Sequence, residues 1–370
     1  MARKRRRAPE GRLLLLEHDS KVLRSNPLGD PHRRRLHVWL PPAYDEGASH
    51  GRGRRFPVLF DLVGYTGSGF SHTNWRPFDE NVPERAARLL HAGEMGPCIL
   101  VFPDAFTSLG GNQYVNSSAL GRYEDYLVRE LVPFVDRELR TLASREHRGC
   151  FGKSSGGYGA MLHGMRQPGT WGAVANHSGD AGFDLVYRCD WPNTLDELAR
   201  HRRRKRRPGR VDVAAESPPG AEEGLDDGRV HRFLRHVWSQ EKLSAGEVHA
   251  LMNLCMAATY DPDPDAPNGF RLPFHVETGE LLPKRWRRWL RHDPCELVSR
   301  YRAKLRSLRG LWIDCGWRDQ YRIHYGSRIL SKRLRAHDMP HVYEEFDDTH
   351  SGIDYRMDRS LPFLYRALRP

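Results

Sequence analysis

A chain of 370 residues with 39% hydrophobic and 29% charged residues can bury a large core and has the composition of a soluble globular protein. No stretch approaches the roughly 20 apolar residues of a membrane-spanning helix, so we expect no membrane partner. The net charge of +12 is concentrated in two short runs, residues 3–7 and 202–210, without interleaved aromatic residues. Because such runs are usually solvated, this distribution argues against nucleic-acid binding.

The N-terminus and the cysteines indicate the cellular compartment. The apolar run Leu13–Leu16 is shorter than the core of a signal peptide, which has about 7–15 residues. The six cysteines are widely spread and include no CxxC pair, so the sequence predicts neither a disulfide framework nor a zinc site. We therefore expect a cytoplasmic protein.

Short apolar runs alternate with segments of helical periodicity along the chain, which predicts an α/β protein with a largely parallel sheet. The predicted strands are Leu13–His18, Arg35–Leu40, Pro57–Val63, Cys98–Pro103, Arg148–Gly152, Ala173–His177, Leu311–Cys315 and Val342–Phe346. The predicted helices are Pro83–His91, Arg122–Leu139, Ser155–Arg166, Arg229–Gln240, Ala245–Ala258, Tyr321–Ala336 and Ile353–Leu368.

The alternation of strands and helices is interrupted between two strands of the predicted sheet. We expect an α/β core at residues 1–182 and 310–370, with residues 183–309 inserted as a mostly helical cap or lid. Within this insertion, residues 201–228 combine blocks of opposite charge with Pro and Gly, a composition that favours disorder.

The strongest chemical signal is the motif Gly-Lys-Ser-Ser-Gly at residues 152–156, between a predicted strand and a predicted helix. A Gly-x-Ser-x-Gly motif in this context is a nucleophile elbow, in which a serine occupies a strained turn and the flanking glycines avoid steric clashes. The register selects Ser154, because Ser155 would require glycine where Lys153 stands. A second match centred on Ser49 lies in a polar loop without a following helix, and we interpret it as chance.

A serine nucleophile needs a base and an acid that orients the base. Functional groups in an open α/β sheet gather beyond the carboxyl ends of the strands, and His350 follows the last predicted strand. His177, at the end of its own strand, is a weaker alternative because it breaks the usual order of serine, acid and histidine. For the acid we favour Asp319, in the loop after the preceding strand, over Asp314, which lies inside that strand.

Two backbone N–H groups are needed to stabilise the oxyanion that forms during acyl transfer. One is expected from Ser155, the residue after the nucleophile. The second is expected from Gly64 and Tyr65, in the glycine-rich loop that follows the strand Pro57–Val63. This loop lacks the Lys-Ser/Thr pair of a phosphate-binding loop.

These residues resemble the putative esterase family, which includes esterase D (S-formylglutathione hydrolase), enterochelin-esterase-like enzymes, feruloyl esterases and mycolyltransferases. The likeness is carried by the stretches 40–44, 57–69, 152–157, 316–319 and 350–351. It implies an α/β-hydrolase three-layer sandwich, a triad of Ser154, Asp319 and His350, and no metal or organic cofactor. The sequence departs from the family at Val63-Gly64, where many members have His-Gly, and in its long insertion.

We therefore expect a carboxylic ester hydrolase that acts on a small-molecule or polymeric ester. An acyltransferase that uses the same triad with an alcohol acceptor is one alternative, and product analysis with added alcohols separates the two. A non-catalytic binding protein on the same fold is the other alternative. The sequence leaves open whether the chain forms a homo-oligomer.

Overall fold

Eight strands form the central sheet of the computed structural model, which describes residues 11–46, 53–202 and 226–370. The strands are β1 Arg12–Asp19, β2 Arg33–Leu40, β3 Val58–Leu62, β4 Ile99–Pro103, β7 Arg148–Lys153, β8 Ala173–His177, β9 Gly310–Gly316 and β10 Val342–Phe346, and a separate hairpin is formed by β5 Asn116–Ser117 and β6 Gly121–Arg122. The order across the sheet is β1-β2-β4-β3-β7-β8-β9-β10. The pairs β1–β2 and β2–β4 are antiparallel, and all other pairs in this sheet are parallel. All eight predicted strands are present, and the largely parallel sheet is confirmed.

Twelve α-helical segments are present in the described residues. They are α1 Val82–His91, α2 Tyr123–Asp125, α3 Val132–Glu138, α4 Ser155–Arg166, α5 Phe183–Val186, α6 Trp191–Ala199, α7 Arg229–Ser239, α8 Ala245–Tyr260, α9 Pro283–Leu290, α10 Pro294–Arg306, α11 Ile323–Arg335 and α12 Met357–Leu368. None of the helices in the described ranges is long and apolar enough to cross a membrane.

The two faces of the sheet are covered by different helices. Every residue of β3, β4, β8 and β9 is buried, as expected for parallel strands with helices on both sides. Alternate residues of these strands belong to two apolar clusters. One cluster contains residues of α4, α10 and α11, and the other contains residues of α1 and α12. The architecture is therefore the predicted three-layer α/β sandwich.

The predicted helix Arg122–Leu139 is divided in the structure. Its middle, Tyr126–Leu131, is a π-helical segment between α2 and α3. The π-helical segment ends two residues before Pro133, which has no amide N–H to donate to the preceding turn. The residue pattern is that of one amphipathic helix, and the proline changes its hydrogen bonding without changing its buried face.

The segment 183–309 is mostly helical where the structure describes it, and it contributes α5 to α10. Helix α6 packs against α8, whereas α10 packs against α4 and α11 in the helical layer of the core. Most of residues 201–228, both basic runs apart from Arg202, and the motif match at Ser49 lie outside the described residues. The division into core and cap stays a prediction.

Candidate active site

Ser154 lies in the tight turn that joins β7 to α4. Its backbone has φ 58° and ψ −124°, a conformation that side-chain-bearing residues rarely adopt. Such conformations cost on the order of 1–3 kcal/mol and concentrate at functional sites. The amide of Ser154 donates a hydrogen bond of 3.0 Å to the carbonyl oxygen of His177, which fixes the turn against the neighbouring strand. The serine is therefore held in the strained turn that the motif predicts.

Glycines make this turn sterically possible. A β-carbon at Gly152 or at Gly156 would overlap the carbonyl oxygen of Leu62 on the adjacent strand. Gly64 lies on the other side of the serine, where an added β-carbon would be 3.3 Å from Cβ of Ser154. The chain can therefore pass this close to Ser154 because these three positions carry no side chain.

His350 and Asp319 form a hydrogen-bonded pair. Nδ1 of His350 lies 2.7 Å from Oδ2 of Asp319, and the two residues are 7% and 3% exposed. Oδ1 of Asp319 accepts a 2.9 Å hydrogen bond from the amide of Tyr321, which fixes the carboxylate. The amide of His350 donates to the side-chain oxygen of Gln320 at 2.9 Å. The loops after β9 and β10 thus hold the imidazole through Nδ1, and no hydrogen bond within the described ranges uses its Nε2.

The alternative histidine and the alternative acid pair with each other elsewhere. Nδ1 of His177 lies 2.7 Å from Oδ1 of Asp314, and Nε2 lies 2.8 Å from the hydroxyl of Ser360. Oδ2 of Asp314 accepts from Nε1 of Trp312 at 3.0 Å and from Nε of Arg356 at 3.1 Å. His177, Asp314 and Ser360 are almost completely buried, and both nitrogens of His177 are engaged. This second Ser-His-Asp arrangement has no access to a substrate.

A cavity of about 230 Å³ lies at the carboxyl edge of the sheet. Ser154 and His350 both line it, and so do Ser155, Gly64 and Tyr65, the three residues predicted for the oxyanion site. Asp319 lies behind His350 and does not line the cavity. The structure therefore places five of the six predicted site residues around one cavity and the sixth, Asp319, against His350.

The residues predicted to supply the oxyanion donors line this cavity. Among the hydrogen bonds formed by the described residues, none uses the amide N–H of Ser155 or of Tyr65. The hydroxyl of Tyr65 donates to the carbonyl oxygen of Leu109 at 2.8 Å, and the amide of Thr66 donates to that of Gly110 at 2.7 Å. These two bonds fix the loop, so the amides are held in place before a substrate arrives.

Residues that the sequence analysis did not identify complete the cavity. The segment 183–309 supplies six of them, and Asp180, Tyr321 and Ile323 are among those from the core. The six are Val186, Tyr187, Asp190, Val248, His249 and Met252. Asp180 follows the carboxyl end of β8 and could have been found by the rule that selected His350. The six residues from the segment 183–309 carry no motif, so nothing in the sequence marks them.

One wall of the cavity is acidic. Burial raises the pKa of Asp180 to about 6, against the lowering effect of a hydrogen bond from Tyr187. Burial also raises the pKa of Asp190, against the positive charges of His249 and Arg322. Nε2 of His249 lies 3.7 Å from Oδ2 of Asp190. Two carboxyl groups thus line this part of the cavity, and that of Asp190 has a histidine beside it.

Comparison with known sequences gives one family and several relatives. The model of the family described as "Putative esterase" matches residues 28–357. Esterase Rv1288 of Mycobacterium tuberculosis is 33% identical over 166 residues, which are 43% of this chain and 32% of that protein. An endo-1,4-beta-xylanase/feruloyl esterase of Xylanibacter ruminicola is 25% identical over 214 residues, which are 56% of this chain and 28% of that protein. The matches thus span about a third of the length of these curated relatives.

Solved structures share the architecture. A ferulic acid esterase has a TM-score of 0.57 at 18% identity, covering 97% of this chain and 99% of its own. An S-formylglutathione hydrolase from Agrobacterium tumefaciens has a TM-score of 0.55 at 16% identity, covering 98% of this chain and 97% of its own. At these identities the likeness shows the fold, which is that of the α/β-hydrolases.

Proposed function

The chain belongs to the putative esterase family, and on this premise we propose that it is a serine esterase that cleaves carboxylic esters through an acyl-enzyme intermediate. Ser154 is the nucleophile, His350 the general base and Asp319 the acid that orients the base. One observation carries the proposal: Ser154, in its strained turn, lines the same cavity as His350, whose other nitrogen is bonded to Asp319.

The first step forms the acyl-enzyme. Nε2 of His350 takes the hydroxyl proton as Oγ of Ser154 bonds to the acyl carbon, and the carbonyl electron pair moves onto oxygen. The amides of Ser155 and of the Gly64–Tyr65 loop donate hydrogen bonds to this oxyanion. When the carbonyl re-forms, the bond to the alcohol oxygen breaks, and His350 gives its proton to the leaving alcohol.

The second step releases the acid. Water enters, His350 removes one of its protons, and the resulting hydroxide oxygen attacks the acyl carbon. The bond to Ser154 then breaks, and its oxygen recovers the proton from His350. Throughout both steps Asp319 accepts a hydrogen bond from Nδ1–H of His350, which keeps Nε2 as the basic nitrogen and stabilises the imidazolium.

We propose that the described helices of the segment 183–309 act as a cap that determines which ester fits. Val248, His249 and Met252 come from successive turns of α8 and line the cavity together with Val186 and Tyr187. Trp286 and Trp289 are buried behind this wall, where the ring of Trp289 packs edge-on against Tyr187 at 5.5 Å. These tryptophans therefore support the wall rather than cover the substrate.

Shortening Met252 to alanine is expected to shift the preferred acyl chain to a longer one. The substitution removes the flexible end of an apolar side chain that lines the cavity. Since each methylene that fits an apolar pocket is worth about tenfold or more, we expect the ratio of kcat/KM for the butanoate ester to that for the acetate ester to rise by at least about tenfold. The measurement is a series of 4-nitrophenyl esters from acetate to octanoate. Leu243→Ala, on a partly buried cap residue outside the cavity, is the control and should leave the ratio unchanged.

Labelling with a fluorophosphonate probe tests the proposal directly. The probe phosphonylates an activated serine, and peptide mass spectrometry identifies the modified residue. We expect labelling of Ser154 alone, with Ser155, Ser178 and Ser360 unmodified because all three are almost completely buried. A folded protein that hydrolyses no ester and takes no label at Ser154 would instead be a binding protein on this fold.

A further inference from the structure

Asp180 occupies a position in the cavity to which the esterase mechanism assigns no role. It follows β8, is 6% exposed, and lines the cavity together with Ser154 and His350. Its Oδ2 accepts a 2.8 Å hydrogen bond from the hydroxyl of Tyr187 and a 3.3 Å hydrogen bond from Nε2 of Gln113. Of the hydrogen bonds formed by the described residues, none reaches Oδ1. One oxygen is fixed by the protein and the other is left for a ligand.

The two donors to Asp180 are themselves fixed. Nε2 of Gln113 also donates to the hydroxyl of Ser155 at 3.1 Å, which ties it to the elbow. The hydroxyl of Tyr187 lies 3.1 Å from that of Tyr260, a fully buried residue of α8. Asp180 is therefore held in one orientation by both the core and the cap, as a preorganised recognition group must be.

Asp180 has no cationic side chain in direct contact among the described residues. Burial raises its pKa to about 6, while the hydrogen bonds from Tyr187 and Gln113 and the charge of His350 lower it, so the carboxylate is mostly ionised at pH 7 and above. Asp180 forms no ion pair with a Lys, Arg or His of the described residues, whereas Asp319 and Asp314 both do. Buried carboxylates are normally paired, so a substrate group is the natural partner of this one.

We propose that Asp180 binds a hydrogen-bond-donating group of the substrate, a hydroxyl or an ammonium, so that the preferred ester carries such a group near the cleaved bond. The inference rests on the proposed function, because it places this group in the cavity that holds Ser154. An ester with an alkyl group at this point would leave the buried carboxylate without a partner, and a site built to bond a polar group discriminates strongly against the analogue that lacks it.

Two matched sets of esters test this proposal. On the acyl side they are 4-nitrophenyl butanoate, 3-hydroxypropanoate and 3-aminopropanoate, in which a methyl, a hydroxyl and an ammonium group occupy the same place. On the alcohol side they are the butyl, 3-hydroxypropyl and 3-aminopropyl esters of acetic acid. We expect the wild type to prefer at least one donor over its methyl analogue by about tenfold or more in kcat/KM.

Variants of Asp180 identify the group responsible and its charge. Asp180→Leu should abolish the preference for either donor. In Asp180→Asn the amide oxygen keeps the bonds to Tyr187 and Gln113, so its NH₂ faces the cavity. This variant should lose the preference for an ammonium and retain part of that for a hydroxyl. Asp196→Asn, on an exposed cap residue outside the cavity, should leave all ratios unchanged.

The outcomes separate the two proposals. Each protein is judged by the ratio of its kcat/KM for a donor ester to its kcat/KM for the matched methyl ester. A change in the basicity of His350 affects both values and therefore cancels. If the wild type hydrolyses the methyl esters as fast as every donor analogue, the role of Asp180 is overturned and the esterase proposal stays intact. A preference for a donor ester that persists in Asp180→Leu has the same two consequences. If Asp180→Leu does not fold, an unchanged preference in Asp180→Asn overturns it equally. A wild type that hydrolyses none of the six esters contradicts the proposed function itself.

Discussion

Replacing Ser154 by alanine is expected to lower kcat for ester hydrolysis by on the order of 10⁴- to 10⁶-fold. The substitution removes the oxygen that forms the acyl-enzyme, while the cavity and the amides of the oxyanion site stay in place. Because the substrate still binds, KM should change far less than kcat. Steady-state hydrolysis of a 4-nitrophenyl ester by wild type and variant, at equal protein concentration, gives both values.

The control is Ser360→Ala, since Ser360 belongs to the other Ser-His-Asp arrangement of the fold. Its hydroxyl lies 2.8 Å from Nε2 of His177 and is fully buried, so the variant leaves an imidazole nitrogen without a partner. We expect a loss of about 1–3 kcal/mol in the free energy of unfolding, measured with urea, and a kcat close to that of the wild type. Retained hydrolysis in Ser154→Ala, or its loss in a folded Ser360→Ala protein, would contradict the assignment of the nucleophile.

The elbow was predictable from the sequence because its constraint is local. A serine at positive φ between a strand and a helix requires residues without a β-carbon two positions before and two positions after it. Gly152 and Gly156 meet this requirement and can be read directly from the sequence. The strands were predictable for a similar reason. In a parallel sheet covered on both faces, every residue of a strand such as β4 is buried, and so the sequence shows an unbroken apolar run there.

Contacts between distant segments were not predictable. The partner of His177 follows from strand register, because its Cα is paired with that of Asp314 across β8 and β9. The sequence alone does not show this register, so it cannot say which of the two histidines pairs with which of the two acids. The cavity wall is a second case. Val248 and Met252 lie on a helix whose burial is almost continuous, so no amphipathic pattern distinguishes the residues that face Ser154 from those that pack on the core.

Replacing Asp319 by asparagine is expected to lower kcat by on the order of 10³- to 10⁴-fold. The amide of Tyr321 donates to Oδ1 of Asp319, so the amide oxygen of asparagine should occupy that position and its NH₂ should face His350. Nδ1 must then accept, which transfers the imidazole proton to Nε2, the nitrogen that has to take the proton from Ser154. The variant keeps the shape of the site with the wrong tautomer, so KM should stay close to that of the wild type.

Asp314→Asn is the matched control for this tautomer effect, because it makes the same change in the buried pair with His177. The carboxylate of Asp314 also accepts from Arg356, so the substitution removes one of the two negative charges beside this guanidinium and leaves that of Glu344. Loss of this buried charge weakens the ion pair with Arg356, so the urea midpoint should fall while kcat per folded molecule stays within about tenfold of the wild type. The reverse result, an inactive Asp314→Asn protein and an active Asp319→Asn protein, would transfer the role of the acid to Asp314. It would also require His177 as the base, although both of its nitrogens are already bonded inside the fold. Kinetic and unfolding measurements on the two variants therefore test the acid and the base together.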